Sequence, residues 1–309
     1  MNRFAIRWMA VAGALLAPVV GFGKPACSRA GLSATAELYV AAQMQGDTRR
    51  LPAKFVPGMG REVSGLPVAV RLGVSENFGT GGGLWGKPLK IDQHRNILDA
   101  TICEAFTEGL VTDKVDPYAF GTRLHIATEV PGETSDVPRD VVGEIEIVWA
   151  SKDKRDLDRS FDVDSYLRNS STEDWSDIPA ATRDTRDRLQ SVANTYLDAL
   201  LKGQADVEPW GLPCARPAAN GSCQVSVPSG TVNIENRHYV IDETIGAIAV
   251  FCTLGVDPTS GRIRTPDLHV FRVENGKVRY VHAITHPVGP AGSVQAKAYT
   301  PAAGPAGRK

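Results

Sequence analysis

An internal repeat constrains this chain more than any other feature of its sequence. Four segments of the first half, LYVAAQMQGD, HRNILD, AFTEG and TRLHIATE, have counterparts in the second half in the same order. The counterparts are YLDALLKGQ, RHYVID, FCTLG and DLHVFRVENGK. A repeat of roughly 110–150 residues is too long for a solenoid unit and has the size of a duplicated domain. The sequence therefore predicts two similar domains within one chain of 309 residues.

The first 23 residues have the pattern of a secretory signal peptide. Arg3 and Arg7 precede an apolar stretch over residues 10–20, and Gly21 and Gly23 supply the small residues of a cleavage site. The apolar stretch is too short to span a bilayer comfortably. We therefore expect export to the periplasm or the medium, with no stable membrane span after cleavage.

If the protein is exported, its five cysteines can form disulfides, because disulfides persist in oxidising compartments. Cys214 and Cys223 bracket a turn-rich loop, and a bond from Cys27 to Cys103 would tie the N-terminus to its own domain. Five cysteines permit many connectivities, so both pairs are hypotheses. Cys252 lies inside an apolar run and is expected to be a buried free thiol.

Apolar periodicity indicates where the elements lie. Helical spacing predicts helices over 30–46 and 183–202. Strands are predicted over 67–76, 92–109, 117–129 and 142–151.

The expected organisation is a signal peptide over 1–23, domains over 24–150 and 183–286, a charged connector over 151–182 and a disordered tail over 287–309. Tyr166 and Trp175 are expected to anchor the connector on a domain surface. A helix followed by antiparallel strands, twice over, is an α+β plan.

The segments YVAAQMQGD and NTYLDALLKGQAD resemble the opening helix of the nuclear-transport-factor-2-like superfamily, which includes ketosteroid isomerases and polyketide cyclases of the SnoaL-like type. The segments NRHYVIDETIGAIAVFCTLG and PDLHVFRVENGKVRYVHAIT are similar to its closing strands. More narrowly, the chain resembles secreted tandem domains of unknown function from fungi and bacteria. The resemblance implies two cone-shaped domains, each with helices on a curved antiparallel sheet, joined as an intrachain pseudo-dimer. Because that superfamily contains enzymes and binding proteins alike, the resemblance does not select an activity.

The closing hairpin offers the most specific prediction of side-chain positions. Asn275-Gly276 is a strong signal for a two-residue turn, which sets His269 opposite His282 and Phe271 opposite Tyr280. Opposed Cβ atoms lie roughly 4.5–5.5 Å apart, so the two histidines would be neighbours on one face. One interpretation is a proton-transfer site with Tyr280 as hydrogen-bond donor. The other is an aromatic face packed against the second domain.

The motifs HRNILD and RHYVID align on Asp99 and Asp242. Arg95 then corresponds to His238, and each lies on the same strand face as its aspartate. The arginine or the histidine would line a pocket, with the aspartate orienting a general base or binding substrate. The alternative for Asp242 is that it ends its strand and enters the turn.

Residues of the first domain are candidates for ligand binding. Arg123 would hold an anionic group, with Tyr118 nearby, or would form a surface or inter-domain ion pair. Glu108 is a candidate pocket carboxylate, with a solvated strand face as the alternative.

Several classes of function lack support in the sequence. The net charge is −1 and no basic block is present, so nucleic-acid binding is disfavoured. No glycine-rich nucleotide motif or nucleophile elbow occurs, and no cofactor is expected. No third ligand accompanies His269 and His282, so no metal is expected either.

Two hypotheses for function remain. In the first, an exported lyase, isomerase or hydrolase acts on a small polar molecule without a cofactor. His238, His269, Tyr280 and His282 would transfer protons, and Arg95, Arg123, Tyr118 and Asp242 would bind substrate. In the second, the protein is a non-catalytic module that binds a small ligand or another protein. In both, the chain is expected to be monomeric.

Overall fold

The computed structural model describes residues 27–46, 69–72, 88–112, 117–127, 141–151, 163–201, 210–215, 232–256 and 265–285. The expected signal peptide and the tail from residue 287 lie outside this described part. So does Cys223, and the hypothetical Cys214–Cys223 bond is therefore not described. Within it, no helix is long and apolar enough to cross a membrane.

Three α-helices are described: α1 (Arg29–Gln45), α2 (Val163–Ser170) and α3 (Arg186–Leu201). Helix α1 begins where the Ser28 hydroxyl accepts a hydrogen bond from Gly31 N, which satisfies one exposed amide of the first turn. It ends at Gly46, whose left-handed φ of 62° suits glycine. The helices predicted over 30–46 and 183–202 are confirmed.

The strands form two sheets with the same topology. The first sheet contains β1 (Ala69–Leu72), β2 (Ile91–Asp99), β3 (Glu104–Val111), β4 (Tyr118–Ala127) and β5 (Val141–Ser151). The second contains β6 (Trp210–Ala215), β7 (Val232–Asp242), β8 (Ala247–Val256), β9 (Thr265–Glu274) and β10 (Lys277–Thr285). Their orders are β1-β5-β4-β3-β2 and β6-β10-β9-β8-β7. Four strands of each sheet are antiparallel, and β1 and β6 join in parallel at one edge. The α+β class is therefore confirmed, with one sheet order used twice.

The apolar core has three layers. Helix α1 covers one face of the first sheet through Leu32, Ala36 and Tyr39, and α3 covers one face of the second. The remaining faces of the two sheets pack against each other. The rings of Phe106 and Phe251 meet there edge to face, with centroids 5.8 Å apart. This inter-sheet layer brings residues of the two halves of the chain together.

The segment 92–109 was expected to form one strand, and this prediction is wrong. Strands β2 and β3 are separated by a turn that ends at Cys103, whose φ is 58°. The Cys27–Cys103 bond is present and ties the start of α1 to this turn. Cys252 is a buried free thiol, as expected.

The predicted register of the closing hairpin is also wrong beyond its turn. Val278 pairs with Val273 as expected, but the ladder then shifts by one residue, so that Tyr280 pairs with Arg272. Arg279 is the extra residue of a β-bulge, and one extra residue moves the following side chains to the opposite face. His282 accordingly lies opposite Val270, and the two histidines are on different faces of the sheet.

Candidate functional site

Charged side chains lie in the inter-sheet layer, around its apolar middle. Glu104, Glu108 and Arg123 are each no more than 3% exposed, although ionised groups are seldom buried unless they are paired. They belong to two clusters. The His282 cluster consists of Arg95, Glu108, Tyr166, Glu173 and His282. The Glu104 cluster consists of Glu104, Arg123, His125, Glu146 and His238.

His282 lies between two carboxylates. Its Nδ1 is 2.8 Å from Glu108 Oε1, and its Nε2 is 2.8 Å from Glu173 Oε2. The ring is fully buried. A carboxylate only accepts hydrogen bonds, so both ring nitrogens donate and the imidazole is protonated. His282 therefore has no nitrogen left to accept a proton from a substrate.

Glu108 is the centre of the His282 cluster. Arg95 Nη1 donates to its Oε2 at 2.6 Å, and the Tyr166 hydroxyl donates to its Oε1 at 2.5 Å. Two cations, Arg95 and His282, balance the two carboxylates of Glu108 and Glu173. Burial of these charges is tolerated because every charge has a close partner of opposite sign.

The pKa values follow from this pairing. Burial alone would raise the pKa of Glu108, but the charges of His282 and Arg95 outweigh it and lower the pKa to about 2. Burial alone would lower the pKa of His282, but Glu108 and the hydrogen bond to Glu173 outweigh it and raise the pKa. Burial, with the Glu108 carboxylate beside it, raises the pKa of Tyr166 well above its usual value. At neutral pH the cluster thus contains an ionised carboxylate, an imidazolium and a neutral phenol.

The segment after α2 completes this cluster from outside the sheets. Trp175 Nε1 donates to Glu173 Oε2 at 2.9 Å, and the Trp175 ring lies 3.9 Å from the Arg95 guanidinium carbon. Tyr166 is 1% exposed. The expectation that Tyr166 and Trp175 anchor this segment is therefore confirmed.

A crevice opens beside the His282 cluster. It is lined by Gln93, His94, Arg95, Glu108, Leu110, Tyr166 and Ser170. Its empty volume is about 170 Å³, counted together with its open mouth. The enclosed part of the crevice is about 10 Å³, which is on the order of one water molecule, so a larger molecule would bind at its open mouth.

In the Glu104 cluster, the Arg123 guanidinium is hydrogen-bonded to two carboxylates of the protein. Arg123 Nη1 donates to Glu104 Oε1 at 2.7 Å, and its Nε donates to Glu146 Oε2 at 3.1 Å. His238 Nε2 lies 2.7 Å from Glu104 Oε2. Burial would raise the pKa of Glu104, but hydrogen bonds to His125 and His238 and the charge of Arg123 lower it to about 2. Arg123 thus forms a buried ion pair in the inter-sheet layer.

Asp99 and Asp242 join the two sheets reciprocally. Asp99 Oδ2 accepts a hydrogen bond from Ile241 N at 2.8 Å, and Asp242 Oδ2 accepts one from Leu98 N at 3.2 Å. Each also binds the arginine that begins a helix of the other half. Arg186 of α3 pairs with Asp99 and Arg29 of α1 pairs with Asp242. Asp242 Oδ1 accepts from Thr244 N, which agrees with the turn interpretation.

The two tyrosines have different surroundings. Tyr280 lies at the edge of the His282 cluster, where its ring is 5.7 Å from that of Trp175 and its hydroxyl accepts from Asp174 N. Tyr118 lies under α1, with its ring 6.4 Å from that of Trp149. It is on the face of the sheet opposite to Arg123, so these two candidate ligand-binding residues do not meet.

The structure divides the four expected catalytic residues among three places. His282 and Tyr280 lie together, and His238 belongs to the Glu104 cluster. His269 lies on the α3 side of the second sheet, stacked on Phe271 at 6.0 Å between ring centroids. The expected His269–His282 proton-transfer pair is therefore wrong, and the cause is the bulge at Arg279.

Two groups of residues were missed. The solvated-face alternative for Glu108 is wrong, because Glu108 is buried directly opposite Arg95 on the neighbouring strand. Placing a turn within 92–109 would have predicted this pair. The second group is Cys252, Asp267 and His269, whose potential ligand atoms all lie within 4.8 Å of one another. Asp267 and His269 are two residues apart on one strand, which puts them on one face. Burial raises the pKa of the Cys252 thiol, and the neighbouring Asp267 carboxylate adds to the rise.

Comparison with known families identifies the second half of the chain only. Residues 182–285 match the family model described as "Domain of unknown function (DUF8021)". The match includes α3 and β7–β10 and covers about a third of the 309 residues. No curated protein matches the chain.

Proposed function

We propose that the protein is an exported, non-catalytic module that binds a small polar ligand in the crevice beside the His282 cluster. The observation that carries this proposal is a crevice lined mainly by polar residues, of which the charged pair Arg95 and Glu108 is already neutralised within the protein. Arg95 and Glu108 line the crevice, and their charges are paired with each other and with His282. Such a lining favours a neutral molecule that gives and accepts hydrogen bonds.

The protonation states support binding over catalysis. An efficient general base has a pKa near the working pH, whereas the pKa of Glu108 is about 2. His282 donates from both nitrogens. Neither group is free to take a proton from a substrate at neutral pH.

The test is a screen of small neutral alcohols and amides by ligand-observed NMR on the purified protein, with carboxylates included as the charged comparison. Ser170, whose hydroxyl donates to Gln93 Oε1, lines the crevice, and the adjacent Ser171 does not. A Ser170→Leu variant fills the crevice and should abolish binding of the hits, whereas Ser171→Leu should retain it. Hits that bind the two variants equally would refute the crevice as the binding site.

A second candidate is the cofactor-independent lyase, isomerase or hydrolase. It is supported by the hydrogen-bonded series from Tyr166 through Glu108 to His282, which begins at the crevice. The same NMR samples distinguish the two functions, because an enzyme converts its ligand and a binding module returns it unchanged. Turnover that is lost in Glu108→Gln and His282→Gln would favour the enzyme.

The proposal also covers the fold of the two halves of the chain, their association and the export of the protein. We propose two nuclear-transport-factor-2-like halves, each cone-shaped, that form a monomeric intrachain pseudo-dimer. The repeated sheet order and the reciprocal Asp99 and Asp242 contacts support it. The N-terminal sequence and the Cys27–Cys103 bond support export. N-terminal sequencing of protein from the medium or periplasm, with light scattering for the mass in solution, tests both parts.

A further inference from the structure

Three potential metal ligands converge on the α3 side of the second sheet. Cys252 on β8 is the direct cross-strand partner of Asp267 on β9, and His269 follows two residues later on the same face. The exposed fractions are 6% for Cys252, 0% for Asp267 and 4% for His269. The group therefore lies in the core beneath Tyr196 of α3, away from the crevice.

Two of the three distances between the potential ligand atoms are close to those within a tetrahedral zinc site. Cys252 Sγ lies 3.7 Å from Asp267 Oδ2, and His269 Nδ1 lies 3.0 Å from the same oxygen. With Zn–S of about 2.3 Å and Zn–N and Zn–O of about 2.0–2.1 Å, tetrahedral geometry puts sulfur and oxygen roughly 3.5 Å apart and nitrogen and oxygen roughly 3.3 Å apart. Both observed distances are within about 0.3 Å of these values, and Cys252 Sγ and His269 Nδ1 lie within 4.8 Å of each other.

The hydrogen bonding of the group leaves one buried nitrogen without a hydrogen bond and orients the carboxylate beside it. His269 Nδ1 is buried and has no hydrogen-bond partner among the described residues, because Asp267 Oδ2 is close to it without the alignment that a hydrogen bond needs. Thr285 Oγ1 donates to the other carboxylate oxygen, Asp267 Oδ1, at 2.6 Å. Such an outer contact orients a carboxylate ligand. The Cys252 thiol donates to Oδ2, and metal binding would replace this hydrogen bond as the thiol loses its proton.

We propose that the protein binds one Zn²⁺ ion through Cys252 Sγ, Asp267 Oδ2 and His269 Nδ1. Thiolate, imidazole and carboxylate together form a donor set for this cation, whereas Mg²⁺ and Ca²⁺ take oxygen ligands. Three protein ligands leave a fourth coordination position for water or an added ligand. The site is independent of the crevice, because none of its residues lines it.

Cobalt substitution tests the site without any assay of activity. The full-length protein is expressed in minimal medium with Co²⁺ in place of Zn²⁺, and its cobalt content and absorption spectrum are measured. We expect one tightly held Co²⁺ per chain, a sulfur-to-cobalt charge-transfer band and the visible bands of tetrahedral cobalt. Zinc protein should also lose at least about 5 °C in Tm after chelation, since a ligand that binds only the folded state stabilises it.

Variants assign the ligands. Cys252→Ser should remove the charge-transfer band, and His269→Gln should lower the retained metal at least tenfold, as loss of a ligand does. His125→Gln is the matched control, because His125 belongs to the Glu104 cluster, and it should keep the spectrum. Near-ultraviolet circular dichroism checks that each variant is folded.

The outcomes are distinguishable. Wild-type protein that retains no metal, or a charge-transfer band that survives in folded Cys252→Ser, overturns the proposal and leaves a buried Asp267–His269 ion pair only. If a variant does not fold, the wild-type cobalt spectrum and the chelation shift still decide whether a thiolate-bound metal is present.

Discussion

Asp99 and Asp242 occupy equivalent positions at the ends of β2 and β7, and each accepts a hydrogen bond from the backbone of the other's strand. Their arginine partners are exchanged in the same way, since Arg186 reaches Asp99 and Arg29 reaches Asp242. A contact in which the same positions on both sides bind each other is the pattern of a two-fold interface. In this protein the pattern occurs within a single chain.

Asp99→Asn and Asp242→Asn should each lower the free energy of unfolding by about 2 kcal/mol. The ion pair is lost, and asparagine has only one acceptor oxygen where both oxygens of each aspartate accept hydrogen bonds from backbone amides. Urea unfolding measures the change. Asp198→Asn is the matched control, since its pair with Arg237 is at the surface, with the Asp198 side chain 52% exposed. That control should cost less than about 1 kcal/mol. Equal losses in all three variants would contradict a special role for the inter-sheet aspartates.

The sequence was sufficient to predict the helices and motifs that have strong local signals. Helices α1 and α3 follow from apolar spacing, and the equivalence of Asp99 and Asp242 follows from HRNILD and RHYVID. The faces of these strands were also predicted correctly. Local patterns specify them because each depends on residues close together in the chain.

The predicted register of the closing hairpin was wrong because tertiary packing, which the local sequence does not show, sets it. Val278 and Val281 are both fully buried towards α3, which requires an extra residue between them. The Asn275-Gly276 turn indicates the start of the register and carries no information about a bulge at Arg279. The His282 cluster could not be predicted either, because Glu108 and His282 are 174 residues apart and meet only when the two sheets pack.

The free energy of unfolding should fall in acid because of Glu104 and Glu108, and in alkali because of His282. Glu104 and Glu108 have folded pKa values of about 2, against about 4.3 when unfolded. Their contribution is complete above the unfolded value and is lost as the pH falls towards 2. The pKa of His282 is raised on folding, so its contribution is complete below about 6.5 and is lost as the pH rises through the folded value.

Urea unfolding between pH 5 and 9 tests the alkaline side. The wild type should lose stability as His282 deprotonates, and His282→Gln should show a flatter profile although it is less stable at pH 5. His94→Gln provides the control, since His94 pairs with Glu37 at the surface. If His282→Gln keeps the wild-type slope above pH 6.5, another group is responsible for that slope.

The Cys27–Cys103 bond should contribute about 4 kcal/mol, the chain-entropy value for a loop of this length. The two cysteines are separated by 76 residues, and the bond fixes the start of α1 to the β2–β3 turn. A Cys27→Ala/Cys103→Ala double variant should therefore show a clearly lower Tm by calorimetry. Reductant should lower the wild-type Tm towards that of the variant and should change the variant much less. Equal Tm values for the two oxidised proteins would show that the bond does not stabilise the fold.

Gly121 allows the two sheets to approach closely. A Cβ atom at this position would lie 2.0 Å from Leu268 Cδ2 of the second sheet and 2.8 Å from Phe106 Cε2. Gly121→Ala should therefore destabilise the protein by about 1–3 kcal/mol through overpacking. Leu268→Ala removes the closest atom and should by itself cost about 2–5 kcal/mol as a cavity.

The double variant Gly121→Ala/Leu268→Ala is the decisive measurement. Because the added methyl group enters the space that the leucine leaves, the double variant should be more stable than the sum of the two single losses predicts. Residues in direct contact show coupling energies of about 0.5–3 kcal/mol in such a cycle. Strict additivity in urea unfolding would mean that Gly121 and Leu268 do not meet, and that the two sheets do not pack as the structure has them.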